Sequence, residues 1–307
     1  MKLFDLAIIG HIAIDRITLP SGYRFTSIGG PPTYAGFSAR LLGASVVVIS
    51  SVGYDFRDEY LMRFTRAAIP LKYIRRSTKP TTKFEIVYFE DWSRSLRLLS
   101  RCEVICSFPK NEVKAKAVLV APICGEVDTC LLNEISRMSD VFKVIDVQGL
   151  VRRFDENGVV SISRWSLSYD LLSKFDVVKA SREEAIMAFN CPHPIDAIRF
   201  LNRLGVRFPI VTLGGEGVMV GTANGKALYL PAYPVYLVDP TGCGDVFLGT
   251  FTMSYIKTSD VLHSLAVGVA SASFVAEGIG PSNFGFRDEV EARAQWLLDR
   301  VKFIELD

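Results

Sequence analysis

The sequence lacks long apolar runs and clusters of like charge, and these absences exclude several classes of protein. No stretch reaches the roughly 18 apolar residues that a membrane-spanning helix needs. The 35 Lys and Arg residues nearly balance the 33 Asp and Glu residues without forming a basic run, so the composition predicts no nucleic-acid partner and no membrane partner. The first apolar stretch is short and has no small-residue cleavage site, so we expect no signal peptide and a cytoplasmic location.

Signatures of metal sites and of common nucleotide-binding loops are also missing. The six cysteines form no CxxC pair and the three histidines are far apart in the sequence, which argues against a zinc site. We expect the thiols to be mostly reduced. GxxxxGK[ST] is absent, which excludes a P-loop kinase, and no GxGxxG follows the first apolar run, which argues against a Rossmann dehydrogenase.

What the chain does contain is a regular alternation of strand-like and helical patterns. With 307 residues, 49% of them hydrophobic, it is long enough to form one large domain over 1–307. Short β-rich runs such as LAIIGHI and SVVVISSVG alternate with helical patterns such as PTYAGFSARLLGA. This alternation is typical of βαβ units, so we predict a doubly wound α/β fold with a predominantly parallel central sheet.

The alternation is interrupted once, in the middle of the chain. Between about 71 and 108, apolar and polar residues alternate on either side of the turn-like EDWSRS, which predicts a hairpin. A second strand-like segment, at about 12–28, could pair with it in a small β-sheet. Such a sheet is either a lid over a site or an edge hairpin packed on the core. Near the C-terminus, Asn224 and Gly225 predict the turn of another hairpin.

The segment DPTGCGD at 239–245 has the strongest chemical signal. Gly242 and Gly244 let the backbone approach a ligand closely, and a helix that begins near Cys243 directs its free N–H groups and its positive dipole end toward the loop. This arrangement binds an anion. Asp245 would lie beside that anion, where a general base can take a proton from a hydroxyl during phosphoryl transfer. The alternative is an Asp that caps a helix after a glycine-rich turn.

Three further segments have weaker signals. Asp239 is either a turn former or a ligand of a cation. Glu184, in KASREEA, either holds Mg²⁺ through water or stabilises the start of a helix. The glycine cluster TLGGEG at 212–217 ends an apolar strand, but glycine-rich connections are common.

The N-terminal segments GHIAID and IGGPPTYAG place an acid and a glycine pair near the predicted small sheet. The carboxylate of Asp15 can accept hydrogen bonds from two vicinal hydroxyls, so with Gly29 and Gly30 it would suit a polyhydroxylated substrate. A lone Asp after a strand is more often structural, and this alternative stays open.

Taken together, these segments resemble the PfkB (ribokinase-like) family of carbohydrate and nucleoside kinases over essentially the whole chain. The resemblance implies that Asp245 is the catalytic base and that Gly242, Cys243 and Gly244 form the anion hole. Substrate-binding roles are implied for Asp15, Gly29, Gly30, Thr33, Gln148 and Arg152. Nucleotide-binding roles are implied for Ser181, Thr212, Gly214, Gly217 and Gly244, Mg²⁺ binding through water for Glu184, and binding of a monovalent cation such as K⁺ for Asp239.

Two segments depart from the family pattern. Where the family commonly has N-x-x-E, this chain has SREE, with Ser181 in the Asn position and Glu184 kept. Where many members have D-x-N-x-R, this chain has DVQGLVR, with Gln148 and Arg152. These segments, with APICGEV upstream, look most like the myo-inositol kinase branch of the family.

The resemblance implies an ATP-dependent kinase that uses Mg²⁺ and phosphorylates a hydroxyl of a polyol or sugar, with myo-inositol as the best match. A nucleoside or another sugar is the alternative acceptor. The small sheet would act as a lid and could also form a homodimer interface. A non-catalytic protein that senses sugars or nucleotides is the hypothesis from another class. It would be indicated by loss of the base or the anion hole, and the sequence keeps both.

Overall fold

The structure is a computed structural model that describes residues 2–222 and 225–306, and it contains two separate β-sheets and a short two-stranded ribbon. In chain order the strands are β1 (Lys2–Ile9), β2 (Ala13–Thr18), β3 (Arg24–Gly29), β4 (Val46–Val52), β5 (Ile74–Arg76), β6 (Thr82–Tyr88), β7 (Arg94–Ser100), β8 (Val113–Val120), β9 (Phe142–Asp146), β10 (Arg152–Phe154), β11 (Val160–Ile162), β12 (Val177–Ser181), β13 (Phe208–Thr212), β14 (Val218–Gly221), β15 (Lys226–Leu230) and β16 (Lys302–Glu305).

Helices connect the strands of the larger sheet. They are α1 (Pro31–Leu41), α2 (Asp58–Arg66), α3 (Thr129–Ser136), α4 (Gln148–Val151), α5 (Tyr169–Leu172), α6 (Arg182–Phe189), α7 (Pro194–Arg203), α8 (Cys243–Thr258), α9 (Val261–Ala276) and α10 (Arg287–Leu298), with 3₁₀ turns at Leu71–Tyr73 and Gly214–Glu216. Among the described residues, no helix is both long and apolar enough to cross a bilayer.

The larger sheet has ten strands in the order β16-β15-β14-β13-β12-β9-β8-β1-β4-β5. Neighbouring strands from β13 to β5 are parallel, whereas β14, β15 and β16 add an antiparallel edge. The predicted doubly wound α/β fold with a predominantly parallel sheet is confirmed. The strand order reverses between β1 and β8, and open α/β sheets bind their ligands beyond the strand ends at such a point.

The central strand β1 shows why the sheet is covered on both faces. Its residues are almost all apolar; Leu6 and Ile8 pack into the core that contains α1, α8 and α9. Ala7 and Ile9 alternate with them and pack into the second core, formed with α3, α6 and α7. A strand buried on both faces needs such a continuous apolar run, because successive side chains point to opposite sides. Two helical layers therefore hold the strand ends rigidly in place.

The second sheet has four strands in the order β3-β2-β6-β7, in which β2 and β6 run parallel. It joins the two segments that were predicted to pair, 12–28 and the 71–108 hairpin. The hairpin range begins too early, however, because Ile74–Arg76 pairs with β4 and extends the main sheet. The chain enters the small sheet directly after β1 and leaves it directly into α1, so this sheet lies next to the reversal point of the main sheet.

The predicted C-terminal hairpin is formed by β14 and β15, which pair antiparallel. Asn224, predicted for its turn, lies outside the described residues. Thr222 accepts a backbone hydrogen bond from Gly225 at 3.3 Å, which closes the connection from its two described ends.

Candidate active site

The N-terminus of α8 forms the centre of the site. Gly242 caps the helix with φ +84°, a left-handed conformation that favours glycine. The N–H of Cys243 already donates to the carbonyl of Pro240 at 3.3 Å, so within the described residues the unpartnered N–H groups here belong to Gly242, Gly244 and Asp245. Of the three residues predicted to form the anion hole, Gly242 and Gly244 therefore keep N–H groups free of partners among the described residues, whereas the N–H of Cys243 is occupied. The thiol of Cys243 lies on the other side and contacts the carbonyl of Ala272 at 3.5 Å.

Asp245 is half-buried in the first turn of α8. Its carboxylate makes no hydrogen bond and no ion pair with any described residue. Burial raises the pKa of Asp245 to about 7, and the negative charge of Asp146 adds to the shift. Three cations oppose it: Lys179, Arg152 and Arg94. A carboxylate with a pKa near neutrality and no partner is suited to exchange a proton with a ligand.

Asp15 is a second unpartnered carboxylate at the same site. It is buried on β2, accepts no hydrogen bond within the described residues, and has a pKa that burial, and then the charge of Asp245, raise to about 7. Gly29, on the adjacent strand β3, makes room for it, because a Cβ there would lie 1.7 Å from Asp15 Oδ2. Gly30 caps α1, and Thr33 Oγ1 donates to the carbonyl of Gly29 at 2.7 Å. The predicted acid and glycine pair thus lie together.

A buried ion pair, which the sequence analysis did not identify, lies behind Asp245. Lys179 Nζ lies 2.9 Å from Asp146 Oδ2, and both side chains are almost fully buried. Burial lowers the pKa of Lys179, but Asp146 and Glu184 raise it more, so the ammonium stays charged. A Cβ on Gly244 would lie 3.3 Å from Lys179 Nζ, which places this cation beside the start of α8.

Gln148, at the start of α4, and Arg152, at the start of β10, form a connected pair. Arg152 donates from Nη2 to Gln148 Oε1 at 2.7 Å and from Nη1 to the carbonyl of Ile123 at 3.1 Å. The Gln148 backbone N–H donates to Asp146. Within the described residues, the Gln148 side-chain NH₂ has no acceptor and Arg152 has no carboxylate partner within 4 Å. Both side chains can therefore bind a polar ligand.

The small sheet reaches the glycine-rich loop through Tyr88. Its hydroxyl lies 2.9 Å from Thr241 Oγ1, so β6 contacts the DPTGCGD segment directly. Arg94 is the cross-strand partner of Tyr88. Its charge acts on Asp15 and Asp245 alike. Sequence patterns did not point to Arg94, because the only signal at that position is strand-like alternation.

The predicted phosphate- and metal-contacting residues lie at the carboxyl ends of β12 and β13. Ser181 and Thr212 face each other in the strand register. Ser181 and Glu184 form a capping box, in which the serine hydroxyl accepts from the Glu184 N–H and Glu184 Oε2 accepts from the Ser181 N–H. Glu184 Oε1 accepts no hydrogen bond from the described residues. The two alternatives for Glu184 are therefore compatible, because one oxygen serves the helix and the other is free.

The glycine cluster after β13 is open to a ligand. A side-chain atom added at Gly214 or Gly215 would meet no other atom within 4 Å. Gly217 ends this turn with φ +114°. An ion pair between Arg182 and Glu216 ties the loop to the start of α6. The loop therefore offers exposed backbone beside the Ser181 region, as a nucleotide site requires.

The carboxylate of Asp239 fixes the conformation of the DPTGCGD loop. Its Oδ1 accepts from the Thr241 N–H and its Oδ2 from the Gly280 N–H, each at 2.9 Å. Both contacts hold backbone segments together, which favours the role of a turn former. Coordination of a monovalent cation by Asp239 stays a prediction.

His11, Cys124 and Glu126 form a buried group at the reversal point between β1 and β8. Their potential ligand atoms lie within 4.8 Å of one another. The two ring nitrogens of His11 already contact Thr82 Oγ1 and the Glu103 carbonyl, and the Glu126 carboxylate accepts three backbone N–H groups. Burial lowers the pKa of His11, so the ring is neutral and bridges the main domain to β6. Because these atoms already have protein partners, the group serves as structural support for the site.

Gly242→Ala is expected to destabilise the protein by about 2 kcal/mol, because the residue has a positive φ and an added Cβ would lie 2.3 Å from the Tyr34 ring. Gly205→Ala is the matched control, since Gly205 has φ +92° but no atom within 4 Å of the added Cβ. Urea denaturation should show a larger loss for Gly242→Ala than for Gly205→Ala. Equal losses would contradict the close contact with Tyr34.

The raised pKa values predict a specific dependence of stability on pH. Asp15 and Asp245 hold protons in the folded state up to about pH 7 but release them near pH 4 when unfolded, so the stability that they contribute is lost as the pH rises between these values. Asp245→Asn should therefore raise the free energy of unfolding relative to wild type at about pH 8 but hardly at about pH 4. Asp299→Asn, at an exposed position, is the control. An equal effect of Asp245→Asn at both pH values would contradict the raised pKa.

A carboxylate without a partner among the described residues, beside a helix N-terminus with free N–H groups on an open α/β sheet, suits an enzyme that transfers a phosphoryl group to a hydroxyl. Residues 5–286 match the family described as pfkB family carbohydrate kinase, and the chain belongs to that family. The resemblance stated from the sequence is thereby confirmed.

Known relatives and solved structures cover most of the chain. A cytidine kinase of Thermococcus kodakarensis is 27% identical over 91% of this chain and 98% of its own. An inositol 3-kinase of Arabidopsis thaliana is 26% identical over 93% of this chain and 79% of its own. A pyrophosphate-dependent kinase in the ribokinase family, solved with a pyrophosphate analog and myo-inositol, has a TM-score of 0.80 at 22% identity and covers 94% of this chain and 99% of its own. The last comparison shows the shared fold.

Proposed function

We propose that the protein transfers the γ-phosphate of ATP to a hydroxyl of a polyol or sugar, and that myo-inositol is the acceptor. The observation that carries the proposal is a pair of carboxylates, Asp15 and Asp245, that have no partner among the described residues and lie close enough for the charge of Asp245 to act on Asp15. Asp245 lies beside the free N–H groups at the start of α8. One carboxylate can bind acceptor hydroxyls while the other removes a proton from the reacting hydroxyl.

The chemistry follows from the positions of these groups. Asp15 and the Gln148 NH₂ orient the acceptor, and Asp245 takes the proton as the acceptor oxygen forms its bond to the γ-phosphorus. The bond from that phosphorus to the bridging oxygen breaks, and ADP leaves with the electron pair. The N–H groups of Gly242 and Gly244, with the Lys179 ammonium, stabilise the charge that develops.

Mg²⁺ and ATP fit residues that the structure leaves free. Glu184 Oε1 is an unpartnered carboxylate oxygen, which suits a hydrated Mg²⁺ because this ion keeps several of its waters. The exposed backbone at Gly214 would hold the nucleotide together with the half-buried Thr212, and Ser181 lies beside Thr212. Gly217 is buried and would shape this turn, because a Cβ there would lie 2.1 Å from the Leu230 carbonyl. When bound, Mg²⁺ neutralises charge on the phosphates.

A polyol acceptor is favoured over a nucleoside by the composition of the site. Asp15, Gln148, Arg94 and Arg152 offer charged and amide groups, which match a ring with hydroxyls on every side. The inositol 3-kinase relative supports this assignment. The cytidine kinase relative supports a nucleoside as the second candidate.

The small sheet is proposed to act as the lid of this site. Tyr88 already bridges it to Thr241, and closure would exclude water and so limit hydrolysis of ATP. A homodimer through the outer face of this sheet, dependence on K⁺ and a cytoplasmic location stay predictions.

A screen of acceptors tests the proposed function. The protein is incubated with Mg²⁺ and either ATP or pyrophosphate in the presence of myo-inositol, hexoses, ribose or nucleosides, and release of ADP or phosphate is followed. We expect turnover with ATP and myo-inositol. Turnover with nucleosides alone would replace the acceptor, turnover with pyrophosphate alone would replace the donor, and no turnover with binding of both ligands would favour the sensing protein.

A further inference from the structure

A cavity of about 410 Å³ lies beside α4, next to the active site. Its walls come from the loop after β8, the start of α3, and the segment from Gly149 to Phe154. This volume is in the range of small-molecule sites. The mechanism above uses only one residue of its lining, Arg152.

Among the described residues, every charged side chain that lines the cavity is positive. Its lining contains Arg101, Arg152 and Arg153 and, among the described residues, no Asp or Glu. None of the three arginines has a carboxylate within 4 Å in the described part of the chain. Three guanidinium groups around one cavity repel one another unless an anion lies between them.

No acceptor in the hydrogen bonds of the three arginines is a carboxylate among the described residues. Arg153 donates only to neutral acceptors, the carbonyls of Leu150 and Arg152 and the hydroxyl of Ser166. Arg101 lies over the ring of Phe154 at 5.1 Å and makes no hydrogen bond with the described residues. Burial lowers the pKa of Arg152 and the charge of Arg94 lowers it further, which carboxylates beyond ion-pair distance, Glu184, Asp146 and Asp245, offset only in part. The arginines are thus held in place by neutral groups, with donors left for a ligand.

We propose that this cavity binds the phosphate group of a small phosphorylated molecule. A phosphate has three terminal oxygens and up to two negative charges, which match planar guanidinium groups that donate two parallel hydrogen bonds. The hydroxyl of Ser166 and the ring of Phe154 would contact the rest of the ligand. This proposal holds whichever acceptor the active site uses.

Arg152 connects the cavity to the reaction. Its guanidinium lines the cavity and donates to Gln148, and its positive charge opposes the rise in the pKa of Asp245. A phosphate bound beside Arg152 would offset the positive charge of the guanidinium. This charge would then act less strongly on Asp245 and on the acceptor. The bound phosphate group belongs either to the acceptor itself or to a separate ligand that regulates turnover.

Binding is measured by titrating inorganic phosphate into the protein saturated with Mg²⁺ and a non-hydrolysable ATP analogue, which occupies the anion hole of α8. The wild type is compared with the double variant Arg101→Gln/Arg153→Gln. The control is Arg137→Gln, at an exposed position at the end of α3. We expect the double variant to lose about tenfold or more in phosphate affinity and the control to lose nothing. Equal affinity in all three proteins overturns the proposal.

Turnover then distinguishes the two sources. If the phosphate belongs to the acceptor, glucose 6-phosphate is phosphorylated by ATP and Arg101→Gln raises its KM. If it belongs to a separate ligand, inorganic phosphate changes the kinetics of the unphosphorylated acceptor in wild type but not in Arg101→Gln. The binding experiment needs no turnover, so failure of the proposed kinase activity would not be mistaken for failure of this site.

Discussion

Asp245→Asn is expected to lower kcat about 1000-fold while binding of the nucleotide changes little. The amide has nearly the shape of the carboxylate but cannot take the proton of the acceptor hydroxyl. Because Asp245 makes no hydrogen bond or ion pair with the described residues, the substitution breaks no contact of the folded protein. Turnover by a coupled assay and nucleotide binding by calorimetry measure the two effects separately.

Asp299→Asn is the control for Asp245→Asn, because it removes an exposed carboxylate at the C-terminal end of α10. It should leave kcat unchanged. Near-normal turnover of Asp245→Asn would refute its assignment as the base. A loss of nucleotide affinity as large as the loss of kcat would instead place Asp245 in the nucleotide site.

Asp15→Ala is expected to raise the KM of the acceptor about 100-fold and to leave the KM of ATP nearly unchanged. The carboxylate is buried without a protein partner, so its hydrogen-bonding capacity is available to the hydroxyls of the acceptor. Initial rates at varied acceptor and varied ATP separate the two constants.

Asp15→Asn serves as the conservative partner of this variant. The amide keeps one acceptor oxygen and fits the space beside Gly29, so part of the lost affinity should return. A selective loss of ATP affinity in Asp15→Ala would contradict the placement of Asp15 in the acceptor site.

The site residues that could be predicted from the sequence alone are those that require a particular backbone conformation. Gly242 and Gly244 stand out because two glycines around a helix start exceed what a turn needs, and α8 does begin at Cys243. The segment IGGPPTYAG has a similar signal, because proline is common at the first position of a helix, and α1 begins at Pro31. Local conformational preference is written in the sequence at such positions.

Side chains that meet only through the tertiary fold left no such signal. Lys179 and Asp146 are 33 residues apart, and they pair because β12 lies next to β9 in the sheet. Arg94 reaches the site through the small sheet, in which its cross-strand partner Tyr88 contacts Thr241 in the loop before α8. A charged residue at the end of an apolar strand, as in DVVKAS, was the one available indication of the buried pair.

The hairpin boundary was misplaced for a related reason. Ile74–Arg76 is only three residues long, too short to show an alternation of its own, and a strand pattern does not state which sheet a strand joins. The choice is decided by the partner strand, β4, which follows α1 and on which β5 pairs as the edge strand of the main sheet. Local patterns therefore predicted the strands, and the pairing of β5 required the structure.

The most direct test of the account is to observe the product and its dependence on Asp245. Protein, Mg²⁺, ATP and myo-inositol are followed by ³¹P NMR for wild type and for Asp245→Asn. The account predicts a growing phosphomonoester signal with wild type, matched by formation of ADP, and almost none with Asp245→Asn. An equal rate of phosphomonoester formation by the two proteins would contradict it.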